Sequence, residues 1–135
     1  MALGPSNGIS GFMLTTPNST AGATTVWQIS PQSGQLMFFS AGNNSAQQRF
    51  LKFYDVVLGP TTGFSGAGMT ASYQFEIPGN ASGAGSNLAI SNGPPMMSGL
   101  QFLNGIAAAI TLNQAIGDAS GISGVNDCFA VIGYR

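Results

Sequence analysis

The sequence predicts an all-β fold, a single-domain antiparallel β-sandwich of eight or nine short strands. Three observations lead there. Turn residues recur every eight to fifteen positions, the segments between them alternate apolar and polar residues, and no segment has a secure helical pattern. Many short strands without helices is the signature of a sandwich or barrel.

Taken in order, the elements are as follows. "GFMLT" (11–15) precedes a turn-like "TPNSTAGA", and "TTVWQIS" (24–30) alternates, with Trp27 and Ile29 on one face and Val26 on the other. "PQSG" turns the chain into "QLMFFS" (35–40), whose Phe38 and Phe39 point to opposite faces; burial on both sides, or packing on a neighbour, is expected. "RFLKFYDVVL" (49–58) is the longest strand, closed by the Gly- and Pro-rich "GPTTGFSGAG". In "ASYQFEI" (71–77), Tyr73, Phe75 and Ile77 are expected inward and Gln74 and Glu76 outward, and Pro78-Gly79 ends the strand. "SNLAIS" (86–91), "LQFL" (100–103), "GIAAAITL" (105–112) and "DCFAVIGYR" (127–135) complete the series. The alanine-rich "NGIAAAITLNQAIG" also suits a helix by propensity. Ile106, Ala108, Ile110 and Leu112 share one face of a strand, however, and the strand reading is taken. Residues 1–24 are expected to be an extended arm or a first strand, and 25–135 the sandwich domain.

Charge is the unusual feature. Asp, Glu, Lys and Arg make up 5% of the 135 residues, and the net charge is −1; an ordinary soluble domain carries about 25% charged residues. Hydrophobic content is 44%, so Gly, Ser, Thr, Asn and Gln replace the charges, and disorder is a poor reading. Three basic residues cannot supply the counterion release that drives nucleic-acid binding. The absence of His removes His-based triads and His metal sites. Cys128, the only cysteine, sits in an apolar run and reads as a buried, inert thiol. "MALGPSNGIS" lacks the features of a secretory leader, and the longest apolar stretch is interrupted by Gln and Asn, so no membrane partner is expected.

Three of the seven charged side chains, Arg49, Lys52 and Asp55, crowd into one strand. Arg49 and Asp55 share a face but are six residues apart, about 20 Å at strand rise, and Lys52 lies on the other face. No acid–base pair forms within the strand. The expectation is that these charges end and partly solvate a central strand and discourage mispairing.

Other motifs are equally bland. "GPTTGFSG" and "GNASGAG" have the glycines of a phosphate loop without its Lys-Ser/Thr. Asp55, Glu76, Asp118 and Asp127 are widely separated. Asp118 and Asp127 bracket a loop that is read as a turn rather than a Ca²⁺ site. Sequons beginning at Asn18, Asn43 and Asn80 fall in Asn/Ser/Thr-rich loops. Trp27, Tyr54, Tyr73 and Tyr134 are the aromatic side chains available for stacking on a sugar, with core packing the cheaper explanation of each. The expectation is therefore no catalytic residue, no cofactor and no metal. Candidate contact residues are Trp27, Phe38, Phe39, Met96 and Met97, the last two in the Met-bearing "PPMM" segment.

From Phe50 onward the order of segments resembles small virion proteins of tailed bacteriophages and prophages. "FLKFYD" with its Pro-Thr-Thr-Gly turn, "YQFEIPGN", "GLQFLNGIAAAIT", a loop containing Asp118 and "NDCFAVIGYR" carry the resemblance. These are strand and turn motifs. They imply a β-sandwich, plausibly a jelly roll, on a virus particle, and carry over no catalytic residue. Within that group the expected role is a capsid decoration (cement) protein. It would bind the major capsid protein on the outer surface of the virion as a homo-oligomer, with a trimer suiting threefold positions, after synthesis in the host cytoplasm. The alternative is a tail- or fibre-associated module binding host-surface glycan.

Overall fold

The computed structural model describes residues 10–15, 25–58, 64–65, 68–79, 86–90, 99–118, 120–121 and 127–135. Among the described residues there are ten strands: β1 (Ser10–Thr15), β2 (Thr25–Ser30), β3 (Gly34–Asn43), β4 (Arg49–Asp55), β5 (Phe64–Ser65), β6 (Tyr73–Ile77), β7 (Ser86–Ile90), β8 (Leu100–Phe102), β9 (Ile106–Thr111) and β10 (Cys128–Tyr134). They form two antiparallel sheets. The first has the order β1-β10-β3-β7 with β8 also paired to β3, and the second the order β5-β2-β9-β4-β6. The fold is thus the expected sandwich; this strand order does not by itself establish a jelly roll. All nine segments expected as strands are found, and the tenth, β5, is a two-residue pairing with β2 inside a stretch expected to be loop. The four residues 10–13 and their neighbours to Thr15 pair with β10 along the whole of β1, so this part of the N-terminal region belongs to the first sheet.

The chain changes sheet at most connections, and the inner faces of the two sheets build one core. The first sheet gives Leu36, Phe39, Ala41, Phe102, Cys128, Ala130 and Ile132; the second gives Ile29, Leu51, Phe53, Ile77, Ile106, Ala108 and Ile110. Aromatic rings fill its centre. Phe53 lies 5.4 Å from Phe39, 6.2 Å from Phe75 and 6.4 Å from Phe102, all in tilted or edge-on geometry. Tyr73 and Phe75 pack against this core as their alternation requires, and Glu76 is exposed.

Two local features depart from simple alternation. In β3 both Leu36 and Phe39 are buried, which a regular strand forbids. The pairing with β10 passes from Phe38 opposite Gly133 to Leu36 opposite Tyr134, so Met37 is the extra residue of a bulge that turns both side chains inward. Phe38, adjacent to the inward Phe39, faces outward at 36% exposure, so the two rings take opposite faces as expected, while burial on both sides is not found.

The second feature is β9, where all six residues are buried. Ile106, Ala108 and Ile110 face the main core. Ala107 and Ala109 join Val26, Tyr54 and Ala71 in a second cluster on the opposite face, with Val56, Leu58 and Met69 packed against it. The second sheet is therefore covered on both sides. The alanine run is explained by this packing: small side chains let the covering segments approach.

Candidate interaction surface

The charged strand β4 is an interior strand between β9 and β6, and its charges hold loops: Arg49 and Lys52 are buried and Asp55 is partly exposed. Lys52 is fully buried, contrary to the expectation of a partly solvated charge. It leaves the outer face of the second sheet, and its Nζ donates to the backbone carbonyls of Asn113 (3.1 Å), Ala115 (2.7 Å) and Asp118 (3.0 Å). One ammonium thus ties down the segment that follows β9. Burial lowers the Lys52 pKa from 10.5, and the charge of Asp118 opposes that shift.

Asp55 does the complementary work at the other end of the strand. Its carboxylate accepts from the backbone N–H groups of Leu103 (3.0 Å), Asn104 (2.7 Å) and Gly105 (3.3 Å), fixing the β8–β9 turn. Desolvation pushes its carboxyl up, but the bonds from Asn104, Leu103 and Gly105 outweigh this and hold it below 3.8. Asp118 behaves alike: desolvation raises it, and bonds from Ser120 and Asn113 bring it below 3.8. Arg49 is 7% exposed and donates from Nη1 to Gln47 Oε1 (3.4 Å) and the Gln48 carbonyl (3.0 Å). Its Nε is buried without a partner, as is Nε1 of Trp27.

Asn43 and Gln28 are polar anchors that the sequence did not single out for structure. Asn43 is fully buried at the end of β3. Its Nδ2 donates to the carbonyls of Gln47 (2.8 Å), Pro78 (3.2 Å) and Ile77 (3.4 Å), while Oδ1 accepts from Ser45 N (2.9 Å), Ser45 Oγ (2.7 Å) and Cys128 Sγ (3.4 Å). Gln28 joins Ser30, Val56 and Ile106 through their carbonyls. Burial pushes the Cys128 thiol up to about 12, with Arg49 opposing and Asp127 adding to the shift. A thiol so placed is no nucleophile.

Among the described residues, no group of three His, Cys, Asp or Glu side chains converges on one point. No helix among them is long and apolar enough to cross a membrane. Asp118 is engaged with Asn113 and Ser120, and the Asp127 carbonyl accepts from Asn44 N.

Of the aromatic candidates, Tyr54 is 1% exposed, and burial, aided by the charge of Asp118, pushes its phenol up to about 12. Trp27 packs partly buried against the core, and Tyr73 meets Phe102 edge-on at 5.4 Å. A sugar platform built on Trp27 and Tyr54 is therefore not presented at the surface. Of the candidate contact residues, Phe39 is a core side chain, 4.5 Å from Phe75 between ring centroids; Met96 and Met97 lie outside the described residues.

Among the described residues the exposed large apolar side chains are Phe38, Val57, Leu103, Ile116 and Phe129, and two of them, Phe38 and Phe129, share the outer face of the first sheet. Across the paired strands β3 and β10 it carries Phe38, Ser40 and Gly42 beside Gly133, Val131 and Phe129. None is charged. Phe38 and Phe129 are each 36% exposed, and the Phe38 ring lies over Gly133, where a Cβ would collide with it. Phe129 carries no sequence signal that separates it from Ala130 and Ile132 of the same apolar run; only the register does. No family model, curated protein or solved structure matches this chain.

Proposed function

We propose that the chain is a non-enzymatic structural protein of a virus particle, seated on the outside of the capsid as a decoration protein. The outer face of the first sheet meets the capsid subunit. One observation carries this reading: the two sheets differ on their outer faces. The second sheet is covered by the chain's own segments around Ala71 and Ala115, the latter held by Lys52, whereas the first presents Phe38 and Phe129 on an uncharged face. Apolar area of this kind contributes about 25 cal/mol per Å² when it leaves water. Because no ion pair is involved, the contact is insensitive to salt. The charges of β4 are occupied in holding backbone, which supports a structural rather than a chemical role. The resemblance of the segments from Phe50 onward to phage virion proteins points to the same assignment.

The test is labelling of purified particles of the virus or prophage that encodes the chain, with an antibody against it. Signal on the capsid exterior is expected, and it is lost with Phe38→Lys together with Phe129→Lys. Particles that lack the protein, or that carry it only on the tail, would overturn the assignment. Light scattering at low salt and at about 1 M salt adds a second check: an oligomer that survives both fits apolar contacts, and one that dissociates at high salt contradicts them.

A further inference from the structure

Three Asn-Gly dipeptides occur in the sequence, beginning at Asn7, Asn92 and Asn104. The third lies among the described residues, with Asn104 exposed in the β8–β9 turn and Gly105 buried behind it. In this dipeptide the side-chain amide condenses readily with the next backbone nitrogen, because glycine presents no Cβ and restricts the backbone least. The glycine is required here. A Cβ on Gly105 would stand 2.7 Å from the Val56 carbonyl oxygen and 3.0 Å from that of Ser30, both backbone atoms.

The chemistry needs no outside reagent but water. The Gly105 nitrogen gives up its proton and attacks Cγ of Asn104. A new C–N bond closes the imide ring, the bond to Nδ2 breaks, and ammonia leaves. Water then opens the ring at either carbonyl, leaving aspartate in the normal linkage or isoaspartate with the side-chain carbon in the main chain.

The geometry around Gly105 opposes each requirement. Its N–H points at Asp55 Oδ1 (3.3 Å), the same oxygen that accepts from Asn104 N (2.7 Å), so the nitrogen is aimed at the carboxylate and away from a reaction partner. The Asn104 side-chain amide also bonds to Asp55. A negative charge this close disfavours the amide anion through which the ring must close.

We propose that Asn104 is a latent modification site for spontaneous deamidation, held closed in the folded chain by the carboxylate of Asp55. Once converted, the site places a second carboxylate beside Asp55, and the repulsion loosens the turn that had protected it.

The experiment is ageing of the full chain at mildly alkaline pH, followed by peptide mapping that separates asparagine, aspartate and isoaspartate at residue 104. Folded wild-type protein is expected to react there at least about tenfold more slowly than the same chain in urea. Asp55→Asn, shown by near-ultraviolet circular dichroism to be folded, is expected to age about tenfold faster than wild type at Asn104. Equal rates in folded and urea-unfolded wild type would overturn the proposal. So would a folded Asp55→Asn that ages at the wild-type rate. If that variant does not fold, the wild-type comparison decides alone.

Discussion

Replacing Asn43 tests the idea that one buried amide fastens the end of the sandwich. Its three shortest bonds, to the Gln47 carbonyl (2.8 Å), from Ser45 N (2.9 Å) and from Ser45 Oγ (2.7 Å), are made by a side chain with no exposed surface. At about 1 kcal/mol net for each good bond, Asn43→Ala is expected to cost about 3 kcal/mol. For a chain of this size that is a fall of roughly 10 °C in Tm. Asn43→Asp keeps the shape and the accepting oxygen but turns the donating nitrogen into an oxygen. That oxygen would face the carbonyls of Gln47, Ile77 and Pro78. A buried, unpaired charge aimed at three acceptors is expected to cost more than the truncation, about 4 kcal/mol or above. The difference from wild type should shrink at lower pH, where the introduced carboxyl is protonated and donates again. Urea unfolding at neutral pH, read by fluorescence and circular dichroism, measures both variants. If Asn43→Asp proves as stable as Asn43→Ala, the amide donors are not what joins β3 to the end of β6, and the reasoning fails.

Three further outcomes are expected. Asp55 and Asp118 have folded pKa values below 3.8, so the stability they contribute is complete above that pH and is lost as pH falls through the folded values. In acid denaturation Asp55→Asn should flatten that part of the curve and cost about 1–2 kcal/mol at pH 7, the bonds being largely solvent-screened. Lys52→Met removes the ammonium but keeps the stem; relief of desolvation offsets much of the lost bonding, so global stability should change by less than about 2 kcal/mol. Amide exchange across residues 113–118, where Lys52 holds the carbonyls of Asn113, Ala115 and Asp118, should quicken all the same, and an unchanged exchange rate would contradict the clamp. Cys128, fully buried with its thiol pushed up to about 12, should not react with a thiol reagent at pH 8 until the chain is unfolded in urea. Rapid labelling of folded protein would show that the end of the sandwich opens.

The alternation in "TVWQIS" and "YQFEI", the turn dipeptides and the lack of a helix pattern determined strands, their boundaries to within a few residues and the all-β class. These are local properties, set by side chains that point to opposite faces in turn. The near absence of charge was likewise legible, as was the inward face of β9 from Ile106, Ala108 and Ile110.

Partnership between strands was not legible. β1 pairs with β10, and β3 joins β10 to β7, through contacts between strands far apart in sequence that leave no local trace. Only the tertiary structure decided that the outer face of the second sheet is buried, turning Lys52 from a surface charge into a loop clamp and Tyr54 from a candidate platform into core. The bulge at Met37 is also invisible in composition, yet it brings Leu36 into the core together with Phe39 although the two lie an odd number of positions apart along the strand. The sequence specifies which residues alternate; the folded chain decides which face of each strand another segment covers. That covering is a long-range packing event, and it left the first sheet with the uncharged face on which the proposed function rests.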